Sequence, residues 1–305
     1  MLNCIKKRIS VLLKVKAYLE LSRWLNCLMA GFAVLLGGFI SVENTGDLFS
    51  LHFVDISLAI FVAIVVSAAG NAINDYYDID IDRINKPEKP IPSGRLTREE
   101  TLLFATIFFS LGILVSLFIN PKYGWVLWGK FPFIIALLNS VLLIAYSAHL
   151  KRSGFFGNIA IGYLVGSTFL FGGASIGKIT AAGILAICAM LATISREITK
   201  GIEDYIGDKA CGAKTLPVLI GPAKATIVVI VFLISAIVLS PFPYIYKLFG
   251  YSYLIIVGIA DLVFLAAIGL SLSDPSPVKA AEVKKILKVG MGIVLFAFFV
   301  GAIFK

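Results

Sequence analysis

Apolar runs of about 20 residues recur along the whole chain, and polar residues gather in the short gaps between them. A membrane-spanning helix needs roughly 17–25 mostly apolar residues. By that criterion nine spans are predicted, near residues 25–42, 54–74, 101–119, 124–146, 156–176, 179–197, 223–241, 250–272 and 285–303. The pattern predicts an all-α, polytopic membrane protein, with residues 25–305 forming one transmembrane domain. Residues 1–24, MLNCIKKRISVLLKVKAYLELSRW, are basic with only short apolar stretches. They read as an amphipathic helix lying on the membrane surface. A cleaved signal peptide fits less well, because the first apolar run lasts long enough to span.

Composition agrees with this pattern. Of the 305 residues, 59% are hydrophobic and 15% charged, against roughly 25% charged in a soluble domain. Lys and Arg set the orientation. With the N-terminus in the cytoplasm, 22 of the 27 Lys and Arg fall in cytoplasmic segments and five on the other side. Nine spans then put the C-terminus outside. The four cysteines (Cys4, Cys27, Cys188, Cys211) have no C-x-x-C spacing, and His52 and His149 form no helical pair. A zinc site or disulfide framework is therefore set aside. No nucleic-acid partner is expected.

Against this background the acidic residues stand out. Eight of the 18 sit in two stretches, 75–82 and 197–208, on the same predicted cytoplasmic face. Side chains at i, i+4, i+7 and i+11 share one face of a helix. In NAINDYYDIDID these are Asn71, Asp75, Asp78 and Asp82, with Asn74 at the edge, while Asp80 points the other way. In SREITKGIEDYIGDKACGAKT, Glu197, Asp204 and Asp208 repeat the i, i+7, i+11 spacing, with Arg196, Lys200 and Glu203 to one side. Each stretch ends an apolar run and precedes a short basic loop containing Pro or Gly, as one device used twice. Clustered carboxylates at the end of a span repel one another and resist desolvation. Mg²⁺, which takes one or two carboxylates and completes its shell with water and substrate phosphates, offsets that cost. Two facing clusters imply a diphosphate held between them, clamped by nearby Lys and Arg. The plainer reading, two solvated helix ends, leaves the matched spacing unexplained.

The N-D-x-x-D-x-x-x-D pattern of NDYYDIDID resembles the first signature of the UbiA superfamily of intramembrane prenyltransferases. Asp204-x-x-x-Asp208, with Glu197 upstream, is similar to the second, and YSAHLKR (Tyr146 to Arg152) to the Tyr/Lys element between them. Four stretches bring the resemblance nearest to the archaeal ether-lipid branch of that family: RWLNCLMAGFAVLLGG, NDYYDIDIDRINKPEKPIPSGRL, FGNIAIGYLVGSTFLFGGA and SREITKGIEDYIGDKACGAKTLP. The family implies a helical bundle around a central cavity with a cytoplasmic cap. It also implies Mg²⁺-dependent transfer of a prenyl group from a prenyl diphosphate to a lipophilic acceptor. In that branch the donor is geranylgeranyl diphosphate and the acceptor is geranylgeranylglyceryl phosphate. One departure is Gly201, where archaeal relatives often carry an acid.

On this reading Asn71, Asp75, Asp78 and Asp82, assisted by Asn74, hold one Mg²⁺. Glu197, Asp204 and Asp208 hold a second. Lys151, Arg152, Arg196 and Lys200 bind diphosphate oxygens, and Tyr146 faces the allylic cation left by departure. Asp75, Asp78, Tyr146 and Lys151 form the expected catalytic set. Arg23 and Asn26 bind the acceptor's phosphate. Asp261 and Asn139, polar residues within spans, read as interhelical ties, and the glycines of GNIAIGYLVGSTFLFGG read as close helix packing. Two rival readings remain: prenylation of an aromatic acceptor, and a transporter whose ion site is acidic. Transporter sites lie near the bilayer midplane, whereas these acids lie at helix ends. A CDP-alcohol phosphotransferase is set aside because the D-G-x-x-A-R element is absent. The face assignment ranks three variants in a prenyl-transfer assay. Asp78→Ala and Asp204→Ala each abolish turnover, and Asp80→Ala is mild; a dead Asp80→Ala beside an active Asp78→Ala contradicts the assignment.

Overall fold

The computed structural model describes residues 2–42, 45–119 and 130–304. Ten long helices order the chain: α1 (Leu2–Ser22), α2 (Trp24–Ser41), α3 (Phe53–Tyr77), α4 (Arg98–Ser116), α5 (Phe131–Ala148), α6 (Phe155–Ser175), α7 (Thr180–Glu203), α8 (Pro222–Leu239), α9 (Tyr251–Ser273) and α10 (Pro277–Ile303). Among the described residues, α2 to α10 are the nine helices long and apolar enough to cross a membrane, and no strand occurs. The protein is a multi-pass, all-helical membrane protein. Its outward-facing Leu114, Val141, Ile227 and Leu262 are exposed, as expected of spans apolar all round.

The predicted spans coincide with these helices, with three adjustments. The first turns expected of the fourth span, over 124–129, lie outside the described residues. The second and sixth spans run on through their acidic ends to Tyr77 and Glu203. The last span begins at Pro277 rather than 285. Ser276 caps it, its hydroxyl accepting from the Lys279 backbone N–H, and Pro277 supplies a first-turn φ. The basic residues 279–288 therefore ride on the helix itself.

Packing places α2 between α3 and α6, α6 against α7, and α7 also against α8 and α10; α3 further packs on α4 and α5. The α2–α6 crossing brings backbone against backbone. A Cβ on Gly37 would lie 2.0 Å from the Phe169 carbonyl oxygen, and one on Gly172 would lie 1.9 Å from that of Val34. Small residues allow this close approach where lipid provides little hydrophobic drive between helices. The predicted polar ties are present. Asn139 Nδ2 donates to Ser167 Oγ at 2.9 Å, joining α5 to α6. The Ser240 hydroxyl donates to Asp261 Oδ2 at 2.6 Å, joining the end of α8 to α9. Gly172→Val is expected to separate α2 from α6 and to cost roughly 3 kcal/mol. Thermal melting of the detergent-solubilised protein checks this, and an unchanged melt contradicts the close crossing.

Candidate functional site

The α3 helix breaks at Asp78 (φ −88°, ψ 3°) and resumes as a short helix, Ile79–Asn85. The break lies in the sparsely allowed bridge region, yet it keeps the predicted face. Asp75, Asp78 and Asp82 are 4%, 8% and 5% exposed, whereas the Asp80 side chain is 84% exposed and only 3.5 Å from Arg83 Nη1. Three carboxylates are thus buried where a membrane helix ends, a costly arrangement unless countercharge comes with them.

Three cations from three separate segments supply it. Arg23, in left-handed backbone (φ 50°, ψ 57°) between α1 and α2, places Nη2 2.8 Å from Asp75 Oδ1. Lys151, in the turn after α5, places Nζ 2.5 Å from Asp78 Oδ2, which also accepts from Asn74 Nδ2 at 2.9 Å. Lys89 Nζ bridges two acids, 3.0 Å from Asp75 Oδ1 and 2.6 Å from Asp82 Oδ2. Burial alone lowers the pKa of the Lys89 ammonium, but the bonds to Asp82 and Asp75 outweigh it and hold the pKa above the usual lysine value. Asn71 Nδ2 donates to the Ser22 carbonyl at 2.8 Å, tying the end of α1 to α3. Asn26 is exposed on the first turn of α2.

Lys89 is the functional candidate that sequence reasoning misses. It sits in a basic loop, where it reads as one more positive-inside charge. Its signal is the pattern around it: a Lys before Pro90, with apolar Ile91 and Leu96 following. Both apolar residues are buried, at 7% and 1% exposure. Arg95 bonds Glu20 Oε2 at 2.5 Å and the Glu88 carbonyl at 2.5 Å. A capping box between Thr97 and Glu100 then starts α4. The loop is pinned along its length, so the ammonium is delivered to a fixed place.

The second acidic stretch repeats the first in backbone detail. The α7 helix breaks at Asp204 (φ −81°, ψ 1°) and resumes as Tyr205–Ala210. The Asp78 N–H bonds the Asn74 carbonyl at 3.0 Å, and the Asp204 N–H bonds that of Lys200 at 3.0 Å. The Asp82 N–H bonds the Asp78 carbonyl at 2.8 Å, and the Asp208 N–H bonds that of Asp204 at 2.9 Å. Asp78 and Asp82 therefore correspond to Asp204 and Asp208, and Gly201 stands where the first stretch has Asp75. Charge pairing differs. Glu197 takes Arg196 Nη1 at 2.6 Å, and Glu203 pairs with Lys284 of α10. Among the described residues, Asp204 and Asp208 carry no ion pair, although Lys200 lies within electrostatic reach. Burial pushes the Asp204 carboxyl above its ordinary pKa, Glu203 and Asp208 add to the rise, and Lys200 opposes it. Tyr146, in the last turn of α5, lies within electrostatic reach of both Glu197 and Asp78. The side chain of Arg152 lies outside the described set.

Among the described residues, no three His, Cys, Asp or Glu side chains converge closely enough to hold a metal ion by themselves. The donors here are carboxylate and amide oxygens, without His or thiolate. That set fits a hard cation such as Mg²⁺, which completes its shell with water and phosphate oxygens.

The sequence profile of the UbiA prenyltransferase family matches residues 27–296. Digeranylgeranylglyceryl phosphate synthase of Methanococcoides burtonii is 44% identical over 293 residues, covering 94% of this chain and 100% of that protein. The synthase of the same name from Methanocaldococcus jannaschii is 42% identical over 291 residues, covering 95% of this chain and 97% of that one. A solved structure concerned with digeranylgeranylglyceryl phosphate synthase in membranes superposes with a TM-score of 0.81 at 41% identity, covering 95% of this chain and 99% of the other. A UbiA homolog from Archaeoglobus fulgidus, solved bound to GPP and Mg²⁺, shares the fold with a TM-score of 0.63 at 20% identity, covering 91% and 99%.

The raised Asp204 pKa has a signed consequence for the metal-free protein. A carboxyl that binds its proton more tightly when folded contributes stability below its unfolded pKa, and that stability is lost as pH rises through the folded pKa. In chelator at neutral pH, Asp204→Asn is expected to melt at or above the wild type. The advantage disappears in acid, where the wild-type carboxyl is protonated. A mutant that melts lower at neutral pH and equally in acid contradicts this.

Proposed function

The chain belongs to the UbiA prenyltransferase family, and from that premise we propose that it transfers a geranylgeranyl group from geranylgeranyl diphosphate to geranylgeranylglyceryl phosphate, a step of archaeal ether-lipid synthesis. The observation that carries this reading is the repeated helix break, which presents Asp78 with Asp82, and Asp204 with Asp208, in one backbone frame. Likeness to the synthases over nearly their whole length supports the choice of donor and acceptor.

In this proposal two Mg²⁺ ions serve the site. Asp75, Asp78 and Asp82, with Asn71 and Asn74, hold one, and Glu197, Asp204 and Asp208 hold the other. Bound Mg²⁺ supplies Lewis-acid neutralisation of the charge that develops on the departing diphosphate. Lys151, Arg152, Arg196 and Lys200 orient the phosphate oxygens by charge-assisted hydrogen bonds. Departure leaves an allylic cation that water would capture. The apolar walls of the spans exclude water, and the Tyr146 ring offers its face to the cation. Arg23 and Asn26, where the surface helix enters the first span, hold the acceptor's phosphate so that its hydroxyl meets the cation. The hydroxyl proton leaves on the released diphosphate or on an acidic side chain.

The same proposal fixes orientation. Residues 1–24 lie on the cytoplasmic surface. The two acidic breaks and the 86–97 loop cap a central cavity on that side, and the C-terminus lies outside. The distribution of Lys and Arg supports this arrangement. Incubation with radiolabelled geranylgeranyl diphosphate tests the reaction. Label is expected to pass to geranylgeranylglyceryl phosphate but not to 4-hydroxybenzoate, and only with a divalent cation. Transfer to the aromatic acceptor alone contradicts the assignment.

A further inference from the structure

Lys89 and Asp75, Asp78 and Asp82 together pose a question about order of binding. Arg23, Lys89 and Lys151 match the three buried carboxylates charge for charge. A divalent cation entering alone would add two positive charges to a buried face that is already neutral. It would also displace the paired Lys89 ammonium, whose side chain is only 18% exposed, and a buried charge that loses its partner is strongly unfavourable. A metal arriving with a diphosphate meets neither obstacle, because the phosphate oxygens receive the displaced cations.

We propose that Lys89 is a built-in counter-cation that keeps the first acidic face closed to free metal, so that metal and diphosphate bind there as a coupled pair. The proposal rests on the metal-dependent reading above. Lys89 is singled out because, among the described residues, its ammonium alone bridges two of the acids, at 3.0 and 2.6 Å. Its backbone can stay in place while the side chain moves. The Lys89 carbonyl accepts from Ser93 Oγ at 2.6 Å, the Leu96 N–H bonds the Pro90 carbonyl at 3.0 Å, and Ile91 and Leu96 are buried. Release of the ammonium is then a change of rotamer on a pinned loop. The second face differs: Glu197 pairs with Arg196, but among the described residues no cation bridges two of its acids, and Asp204 and Asp208 carry no ion pair.

Equilibrium dialysis with radioactive Mn²⁺ tests this on the full-length, detergent-solubilised protein. An Asp204→Asn, Asp208→Asn background silences the second face, so the first is read alone. With Lys89 intact, Mn²⁺ by itself is expected to bind weakly, and inorganic diphosphate raises its affinity about tenfold or more. Lys89→Met is expected to bind Mn²⁺ alone about tenfold more tightly, with a correspondingly smaller effect of diphosphate. Lys89→Arg, which keeps the charge, behaves like Lys89. Equal Mn²⁺ affinity with and without diphosphate while Lys89 is intact overturns the proposal and needs no Lys89 variant. Mn²⁺ binding that still depends on diphosphate in a folded Lys89→Met overturns the role of Lys89 and leaves the metal site standing. Absence of Mn²⁺ binding under every condition overturns both readings.

Discussion

Everything about the candidate site depends on one constraint: three carboxylates are buried where a membrane helix ends, and buried charge must be matched. Arg23 brings in the junction of α1 and α2, Lys89 brings in the loop before α4, and Lys151 brings in the turn after α5. The countercharge thus gathers three segments distant in sequence around the break in α3. Around that centre Asn71 anchors the end of α1, and Arg95 ties the Lys89 loop back to Glu20 of the same helix. Helix α1 is therefore part of the site's support.

The repeat between the two acidic stretches is geometric as well as sequential. Asp78 and Asp204 occupy the same bridge conformation and make the same backbone bonds. Their electrostatics diverge. The first stretch is neutralised by three cations, while among the described residues Asp204 and Asp208 carry no ion pair, and burial raises the Asp204 pKa against the opposing charge of Lys200. Gly201, in the place of Asp75, removes one carboxylate from that second set. One frame thus carries two different patterns of ion pairing.

Much of this was legible in the sequence. The spans could be read because lipid demands long apolar helices, and the inward face of Asp75, Asp78 and Asp82 because helical periodicity survives the break at Asp78. The exposure of Asp80 followed from the same periodicity. Three features were hidden. The break itself leaves no mark in a run of aspartates. The start of the last span at Pro277 was masked by its lysines, which look like a loop. Lys89 was hidden because its role depends on how residues 86–97 fold over the acids, a long-range consequence of burying Ile91 and Leu96.

The central claim is that the acids of the first face exchange cationic partners when the donor arrives. A structure of the protein with Mg²⁺ and a non-reactive geranylgeranyl diphosphate analogue tests it most directly. The expected result has Asp75, Asp78 and Asp82 turned to metal, with Lys89 and Lys151 withdrawn from them and directed at phosphate oxygens. A bound diphosphate with the Asp75–Lys89, Asp82–Lys89 and Asp78–Lys151 pairs all intact would contradict it.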